Sequence, residues 1–155
     1  MQKRQKPYWL MILAVSLAAC SSSPDRESGF EVDETATKTD QILPDSRTSK
    51  TVLTLLDNAR SAAKAGQLHT AESQLERALR IELRNAVLWH YMAKLRLHQN
   101  RINEATGLAA KSNSLAGKNR KLLADNWRII AHARHQLGDQ SGAKQAQEKI
   151  EQLTP

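Results

Sequence analysis

Apolar and polar positions divide the chain into three regions. Residues 8–19 form an apolar run that follows a basic start without acids. Residues 20–50 are rich in Ser, Thr, Asp and Glu, and their few apolar residues show no period. From residue 51 to residue 155, apolar residues recur with the spacing of amphipathic helices, and the alternation typical of strands is missing. The pattern predicts an N-terminal segment of residues 1–19, a disordered linker of residues 20–50 and an all-α domain of residues 51–155.

The apolar run has the features of an export signal. It is too short to cross a bilayer as a helix, which needs roughly 20 apolar residues. Its length and its basic start are typical of a secretory signal peptide. It ends in the letters LAAC at 17–20, which resemble the lipobox of bacterial lipoproteins. This resemblance implies that residues 1–19 are removed, that Cys20 carries acyl chains, and that Ser21 directs the protein to the periplasmic face of the outer membrane.

The linker connects this lipid anchor to the domain. Cys20 is the single cysteine of the chain, so no internal disulfide can form. Thirty flexible residues have a root-mean-square span of about 30 Å. Ile42 and Leu43 are the one apolar spot of the linker, and two outcomes are open there: local docking, or no role. We expect no cofactor besides the covalent lipid on Cys20.

Helix-breaking residues (breakers) and alanines recur at regular positions within the predicted domain. Gly66, Asn100 and Gly138 each separate a longer amphipathic stretch from a shorter one. An alanine follows each breaker after five residues, and the successive alanines are 34 and 38 residues apart. A tryptophan precedes the second and third breakers by eleven residues. The alanines are Ala71, Ala105 and Ala143, and the tryptophans are Trp89 and Trp127.

This pattern resembles the tetratricopeptide repeat (TPR), a helix–turn–helix unit of 34 residues. The resemblance implies an α-solenoid of three repeats, at about 52–85, 86–117 and 120–155. Four extra residues precede the third repeat, and they predict either a longer loop or a first helix that begins near Arg120. The family has an aromatic residue in the middle of the first helix, where this chain has Ala62, Arg96 and Arg134.

The resemblance also implies a binding surface, because first-helix residues line the concave face of TPR domains. The polar partner-binding residues carried over in this way are Arg60, Lys64, His90, Lys94, His98, Arg128, His132 and His135. The same face includes Asp125 and the aliphatic residues Leu53, Leu56, Val87 and Leu97. Its cations are expected to attract an extended anionic segment, whose apolar side chains the aliphatics accept. A merely solvated charged face is the alternative.

Charge and motifs narrow the function. The linker has four bases and seven acids, whereas residues 51–155 have sixteen bases and nine acids. Export argues against nucleic acid as the partner of this basic domain. The motifs of hydrolases, zinc peptidases and phosphate loops are missing, which disfavours an enzyme with a small-molecule substrate. The spacing of His132 and His135 does not support a metal site.

The combination of lipobox, acidic linker and three-repeat domain resembles the outer-membrane lipoproteins that activate penicillin-binding protein 1b, the LpoP-like family. This resemblance implies a lipid-anchored adaptor with a periplasmic protein partner, a bifunctional penicillin-binding protein that synthesises peptidoglycan. Two alternatives stay open. One is a pilotin-like assembly factor for a secretion or type IV pilus complex, and the other is a direct binder of cell wall or lipopolysaccharide.

Overall fold

The computed structural model describes residues 42–154, which belong to one compact unit. Cys20, with the predicted signal peptide and most of the linker, lies outside the described residues. The described part is all-helical, as predicted, and none of its helices has the length and hydropathy to cross a bilayer. The helices are α1 (Lys50–Lys64), α2 (Leu68–Ile81), α3 (Ala86–His98), α4 (Ile102–Leu115), α5 (Arg120–Gln136) and α6 (Gln140–Leu153).

Three tight turns divide the helices into the pairs α1–α2, α3–α4 and α5–α6. Gly66, Asn100 and Gly138 occupy these turns with φ values of 72°, 57° and 77°. The amide that follows each of them donates to the carbonyl five positions earlier, at 2.8–2.9 Å. This hydrogen bond ends a helix when the preceding residue is left-handed, a conformation that Gly and Asn tolerate best. The three breakers therefore end the first helix of each repeat, as the sequence pattern indicated.

The four extra residues of the third repeat lengthen a helix. α5 begins at Arg120 and has 17 residues, whereas α3 has 13. The side chain of Asn119 caps α5 by accepting from the amide of Leu122 at 3.0 Å. The guanidinium of Arg120 donates to the carbonyls of Gln152 and Leu153, at 3.0 and 3.2 Å. Of the two predicted outcomes, the longer helix is therefore correct, and its added turn binds the end of α6.

Two apolar clusters form the core. The first joins the first and second repeats and contains large aliphatic side chains, among them the fully buried Leu56 and Leu88. The second joins the second and third repeats and consists of alanines with Ile129 and Ile130. The crossing alanines Ala71, Ala93 and Ala105 are at most 1% exposed, whereas Ala143 is half-buried, and their small size lets the helix axes approach closely.

Arg96 stands where the repeat family has an aromatic residue, and it is buried. Its guanidinium lies 2.6 Å from Glu72 of α2 and 3.3 Å from Glu104 of α4. It also donates to the side chain of Gln99 at 2.6 Å. The hydrogen bonds from Arg96 and then from Gln99 lower the pKa of Glu72 to about 2. An ionic network thus replaces the aromatic contact and joins α2, α3 and α4.

The folded unit begins before the predicted boundary at residue 51. Ile42 is 6% exposed and belongs to the first apolar cluster, so the docking outcome is the correct one for this residue. Ser49 caps α1 by accepting from the amide of Val52, and its own amide donates to Glu82 at 2.9 Å. We call residues 42–49 the N-terminal strap. The periodicity of the sequence missed the strap because a single buried aliphatic residue has no period.

Candidate partner-binding face

The first helices of the three repeats present a common polar surface. Each of these helices contributes two residues that are three positions apart and therefore lie on the same side of the helix. The residues are Asp57 and Arg60 on α1, Tyr91 and Lys94 on α3, and Asp125 and Arg128 on α5. We call this surface the A-helix face; it corresponds to the concave face that the repeat pattern predicted.

Arg60 links α1 to α3 on this face. Its guanidinium donates to the carboxylate of Asp57 at 3.2 Å. Its guanidinium carbon lies 5.5 Å from the centroid of the Tyr91 ring, within the range of a cation–π contact. Although it is a surface cation, Arg60 is therefore held in place by an acid on its own helix and a ring on the next.

Lys94 lies between the charges of two neighbouring helices. Burial lowers the pKa of its ammonium group, whereas Asp125 of α5 acts in the opposite direction and Arg60 of α1 lowers it further. Burial also raises the pKa of the Tyr91 hydroxyl, with Arg60 opposing that shift. A half-buried ammonium group has lost part of its hydration, so a carboxylate brought by a partner would stabilise its charge.

Two of the four cations predicted for this face are paired with acids. Arg60 bonds with Asp57, and Arg128 bonds with Asp125, each at a spacing of three residues. The other two predicted cations are Lys64, which is exposed, and Lys94. The face is therefore an alternation of acids and bases, less basic than the residue composition of the domain indicated.

His90 is not available to a partner, so its predicted binding role is wrong. The side chain is 3% exposed and lies at the start of a buried chain of hydrogen bonds. The hydroxyl of Ser112 donates to the carbonyl of Ala86 at 2.8 Å, and it accepts from Nδ2 of Asn126 at 2.7 Å. This turns Oδ1 of Asn126 towards Nδ1 of His90, at 2.8 Å, so that Nδ1 carries the hydrogen.

The buried chain connects the second and third repeats. His90 lies on α3, Ser112 on α4 and Asn126 on α5. Burial lowers the pKa of His90 to about 4, although the hydrogen bond to Asn126 opposes the shift. The neutral imidazole is therefore a structural group that orients α5 against α3. The repeat pattern assigned His90 to the open side of α3, because the pattern carries no information about the hydrogen bond to Asn126 of α5 that the buried side chain makes.

The other predicted histidines lie nearer the solvent. His98 and His135 are exposed, and His132 is half-buried. Burial lowers the pKa of His132, and the charge of His135 contributes to the same shift. Within residues 42–154, no group of three or more His, Cys, Asp or Glu side chains is arranged to hold a metal ion.

The predicted aliphatic residues divide into two sets. Leu56 and Val87 are buried in the same cluster as Ile42, so a partner does not reach them in this structure. Leu53 is exposed and Leu97 half-buried, and both stay accessible. Asp57 and Tyr91 are not among the predicted residues, although their spacing of three residues from Arg60 and Lys94 marks the same side of each helix.

A second concave region lies between α2, α3 and α4. It has a volume of about 610 Å³ and is lined by Trp89, Met92, Leu79, Leu83 and Leu108, with charged residues at its rim. The indole nitrogen of Trp89 donates to the carbonyl of Leu83 at 2.8 Å. This region offers no residue of the A-helix face, and Arg80 on its border provides a matched control for experiments on that face.

Six helices in three pairs, the left-handed turns and the surface on the first helices define a three-repeat TPR domain. The globular C-terminal domain of P. aeruginosa LpoP is similar, with 34% identity and a TM-score of 0.64 over 66% of this chain and 97% of that one. The second TPR of Spaghetti (RPAP3), bound to the HSP90 peptide SRMEEVD, has 24% identity and a TM-score of 0.58 over 67% of this chain and 93% of that one.

The two similarities carry different weight. The likeness to the RPAP3 domain shows the fold alone, whereas the LpoP domain is matched over nearly its whole length. Neither a family model nor a curated protein sequence matches the chain. The chain belongs to the LpoP family, and it is a protein-interaction adaptor built on TPR units.

Proposed function

We propose that this protein is a lipid-anchored adaptor of the bacterial envelope that binds and activates a bifunctional penicillin-binding protein. The observation that carries the proposal is the 34% identity over 97% of the LpoP domain. The letters LAAC at 17–20 support an acylated Cys20, and Ser21 supports the periplasmic face of the outer membrane. The protein partner is proposed to bind the A-helix face, with no nucleic acid, cofactor or small-molecule substrate involved.

Each part of the chain has a role in this proposal. The lipid keeps the adaptor at the membrane, which raises its effective concentration for a partner that is confined to the same envelope. If the linker from Cys20 to the docked Ile42 is disordered, as its composition predicts, it would have a root-mean-square span of roughly 25 Å, shorter than a linker that ends at residue 50 would have. Lys94 and the paired arginines supply charges that orient an incoming acidic surface.

Reconstitution of the synthase tests the proposal. The lipidated chain in detergent is added to the purified bifunctional penicillin-binding protein of the same organism, and glycan polymerisation and peptide crosslinking are measured on lipid-linked precursor. We expect a saturable rise in at least one rate. Unchanged rates at saturating adaptor would contradict the proposal. Binding to purified sacculi without any synthase would instead favour a direct cell-wall binder.

A Cys20→Ser variant tests the anchor separately. It removes the acylation site and leaves the domain unchanged, so the purified variant is expected to activate the synthase in detergent as the lipidated chain does. In cells it is expected to fail, because the adaptor is no longer concentrated at the membrane. Full function of the variant in cells would refute the anchored part of the proposal.

A further inference from the structure

The N-terminal strap lies across the part of the A-helix face that belongs to the first two repeats. The carbonyl oxygen of Ile42 accepts a hydrogen bond from the hydroxyl of Tyr91, at 3.2 Å. The Ile42 side chain is buried with Leu56 and Val87, two residues that the repeat pattern had placed on the open face. A segment of the chain itself therefore occupies the position where an extended ligand would lie on this face.

The strap is held at its two ends. At one end Ile42 is buried, and at the other the amide of Ser49 donates to Glu82, and Asn85 donates to the hydroxyl of Thr48 at 3.2 Å. Between these ends the contacts are looser, since Leu43 is 63% exposed. The amide of Thr48 closes a turn with the carbonyl at position 45, at 2.9 Å, so the strap reverses direction before α1 begins.

A pocket of about 350 Å³ separates the middle of the strap from α1. The strap side is lined by Leu43, Pro44, Asp45, Ser46 and Thr48, and the helix side by Leu53, Leu56, Asp57 and Arg60. The pocket combines aliphatic walls with the guanidinium of Arg60, whereas the carboxylate of Asp45 on the strap side is paired with Arg47 at 2.9 Å. Space between the strap and the helix leaves room for another segment to enter and replace the strap.

The bound strap indicates which chemistry this place recognises. Tyr91 binds a backbone carbonyl, which any extended chain supplies regardless of its side chains. The buried site at Ile42 selects an aliphatic side chain. The charges of Arg60 and Lys94 favour an acidic segment over a basic one.

We propose that the Ile42 site is the recognition pocket for an extended, acidic partner segment that carries an aliphatic residue, and that the strap is its internal competitor. This inference rests on the proposed function only in taking the A-helix face as the partner-binding surface. Docked in cis, the strap has a high effective concentration, so a partner must displace it before binding. Displacement also frees the linker down to α1 and lengthens the reach of the domain from the membrane.

The first experiment needs no synthase. The mature chain with Cys20→Ser is labelled with ¹⁵N and titrated with a synthetic peptide of residues 40–50, with and without Ile42→Asp in the chain. We expect saturable shifts of the Arg60 and Tyr91 amides in the Ile42→Asp chain, and a need for about tenfold more peptide in the chain with Ile42. A Leu137→Asp chain is the matched control and should behave as the chain with Ile42, because Leu137 is exposed and lies outside the strap and the pocket beside it.

Two results of the titration would overturn the inference. One is an equal response, or no response, of the chains with and without Ile42→Asp. The other is the same response to a peptide in which Ile42 itself is replaced by Asp. Ile42→Ala, which shortens the strap side chain without adding a charge, guards against misfolding of the first variant. It is expected to weaken the strap and shift the peptide requirement in the same direction as Ile42→Asp.

The second experiment separates this inference from the proposed function. With a synthase that responds to the adaptor, Ile42→Asp should lower the half-saturating adaptor concentration by about threefold or more, and Leu137→Asp should leave it unchanged. An unchanged or raised value for Ile42→Asp would overturn the internal-competitor role. If the synthase responds to no form of the adaptor, the proposed function fails, and the peptide titration still decides the inference.

Discussion

The two junctions between repeats are built from different chemistry. Large aliphatic side chains such as Leu56 and Leu88 join the first repeat to the second. At the second junction the apolar contacts are mainly alanines, and the buried chain from His90 through Asn126 to Ser112 crosses between the helices. A polar junction specifies one arrangement of its groups, whereas an aliphatic junction depends mainly on shape and volume. The second junction should therefore be the acid-sensitive one.

The same contrast appears between two arginines at equivalent repeat positions. Arg96 is buried and lies 2.6 Å from Glu72. Arg134 lies 3.4 Å from Asp139, with both side chains more than a third exposed. One residue type at one repeat position thus forms an internal network in the second repeat and a solvated pair in the third. How deeply the two side chains of an ion pair are buried decides how much the pair contributes to stability.

The largest effect is expected at the aliphatic junction. Leu88→Ala removes a fully buried side chain and leaves a cavity, which should lower the free energy of unfolding by about 3–4 kcal/mol. Leu83→Ala is the matched control, because Leu83 is largely exposed, and it should cost less than about 0.5 kcal/mol. Urea denaturation measures both values. Equal losses in the two variants would contradict the assignment of the first core.

Acid should weaken the polar junction next. His90 has a folded-state pKa of about 4, below the value of 6.5 for a free histidine. Between pH 6.5 and pH 4, His90 is protonated in the unfolded chain but neutral in the folded chain. Its contribution to the free energy of unfolding is therefore fully present above pH 6.5 and is lost as the pH falls towards 4. The expected loss is about 3 kcal/mol, since one pKa unit corresponds to about 1.4 kcal/mol.

A variant isolates this histidine from the carboxylates. Glu72 also has a lowered pKa, so its contribution is present above its ordinary pKa of 4.5 and is lost as the pH falls towards 2. The pH range in which His90 lowers the stability and the range in which Glu72 does so therefore overlap only near pH 4. His90→Gln should be less stable at neutral pH but lose the decline between pH 6.5 and pH 4.5. A decline of the same size in this variant would show that His90 is not its source.

The arginine pair gives a smaller effect. Arg96→Ala leaves Glu72 without its main partner in a half-buried position, and should cost about 2 kcal/mol. Arg134→Ala removes an exposed pair and should cost less than about 0.5 kcal/mol. Thermal and urea unfolding at neutral pH compare the two variants. A larger loss for Arg134→Ala would reverse the comparison between the second and third repeats.

The parts of this structure that sequence could predict are those that depend on local demands. Gly66, Asn100 and Gly138 mark backbone positions with positive φ, and the alanines five residues after each of them mark close helix crossings. Single residues and their spacing reveal both requirements, and the repeat architecture could therefore be predicted from the sequence. The spacing of these residues also revealed the four extra positions before the third repeat, so the helix that begins at Arg120 was one of two predicted outcomes.

The parts that could not be predicted depend on distant partners. The buried His90 is hydrogen-bonded to Asn126, 36 residues further along the chain, and the residue pattern of α3 gives no sign of this contact. Arg96 finds Glu72 on another helix, which requires the register between repeats. Ile42 reaches Tyr91 across 49 residues, and one aliphatic residue in a polar linker gives no signal of its own. The sequence pattern therefore assigned the candidate face to the first helices, but it gave an incorrect estimate of which residues on these helices are exposed.

Charge reversal on the A-helix face tests the central claim most directly. The affinity of the purified synthase is measured for a triple variant with Arg60→Glu, Lys94→Glu and Arg128→Glu. The control carries Arg80→Glu, Lys144→Glu and Lys149→Glu, which change the net charge equally on exposed residues of α2 and α6. Circular dichroism verifies that both variants are folded.

The two variants should differ in their dissociation constants for the synthase. Reversal on the A-helix face is expected to raise the dissociation constant by about tenfold or more, and the control to change it by less than about twofold. Equal effects of the two triple variants, or unchanged binding by the variant of the A-helix face, would contradict the claim that this face recognises the partner.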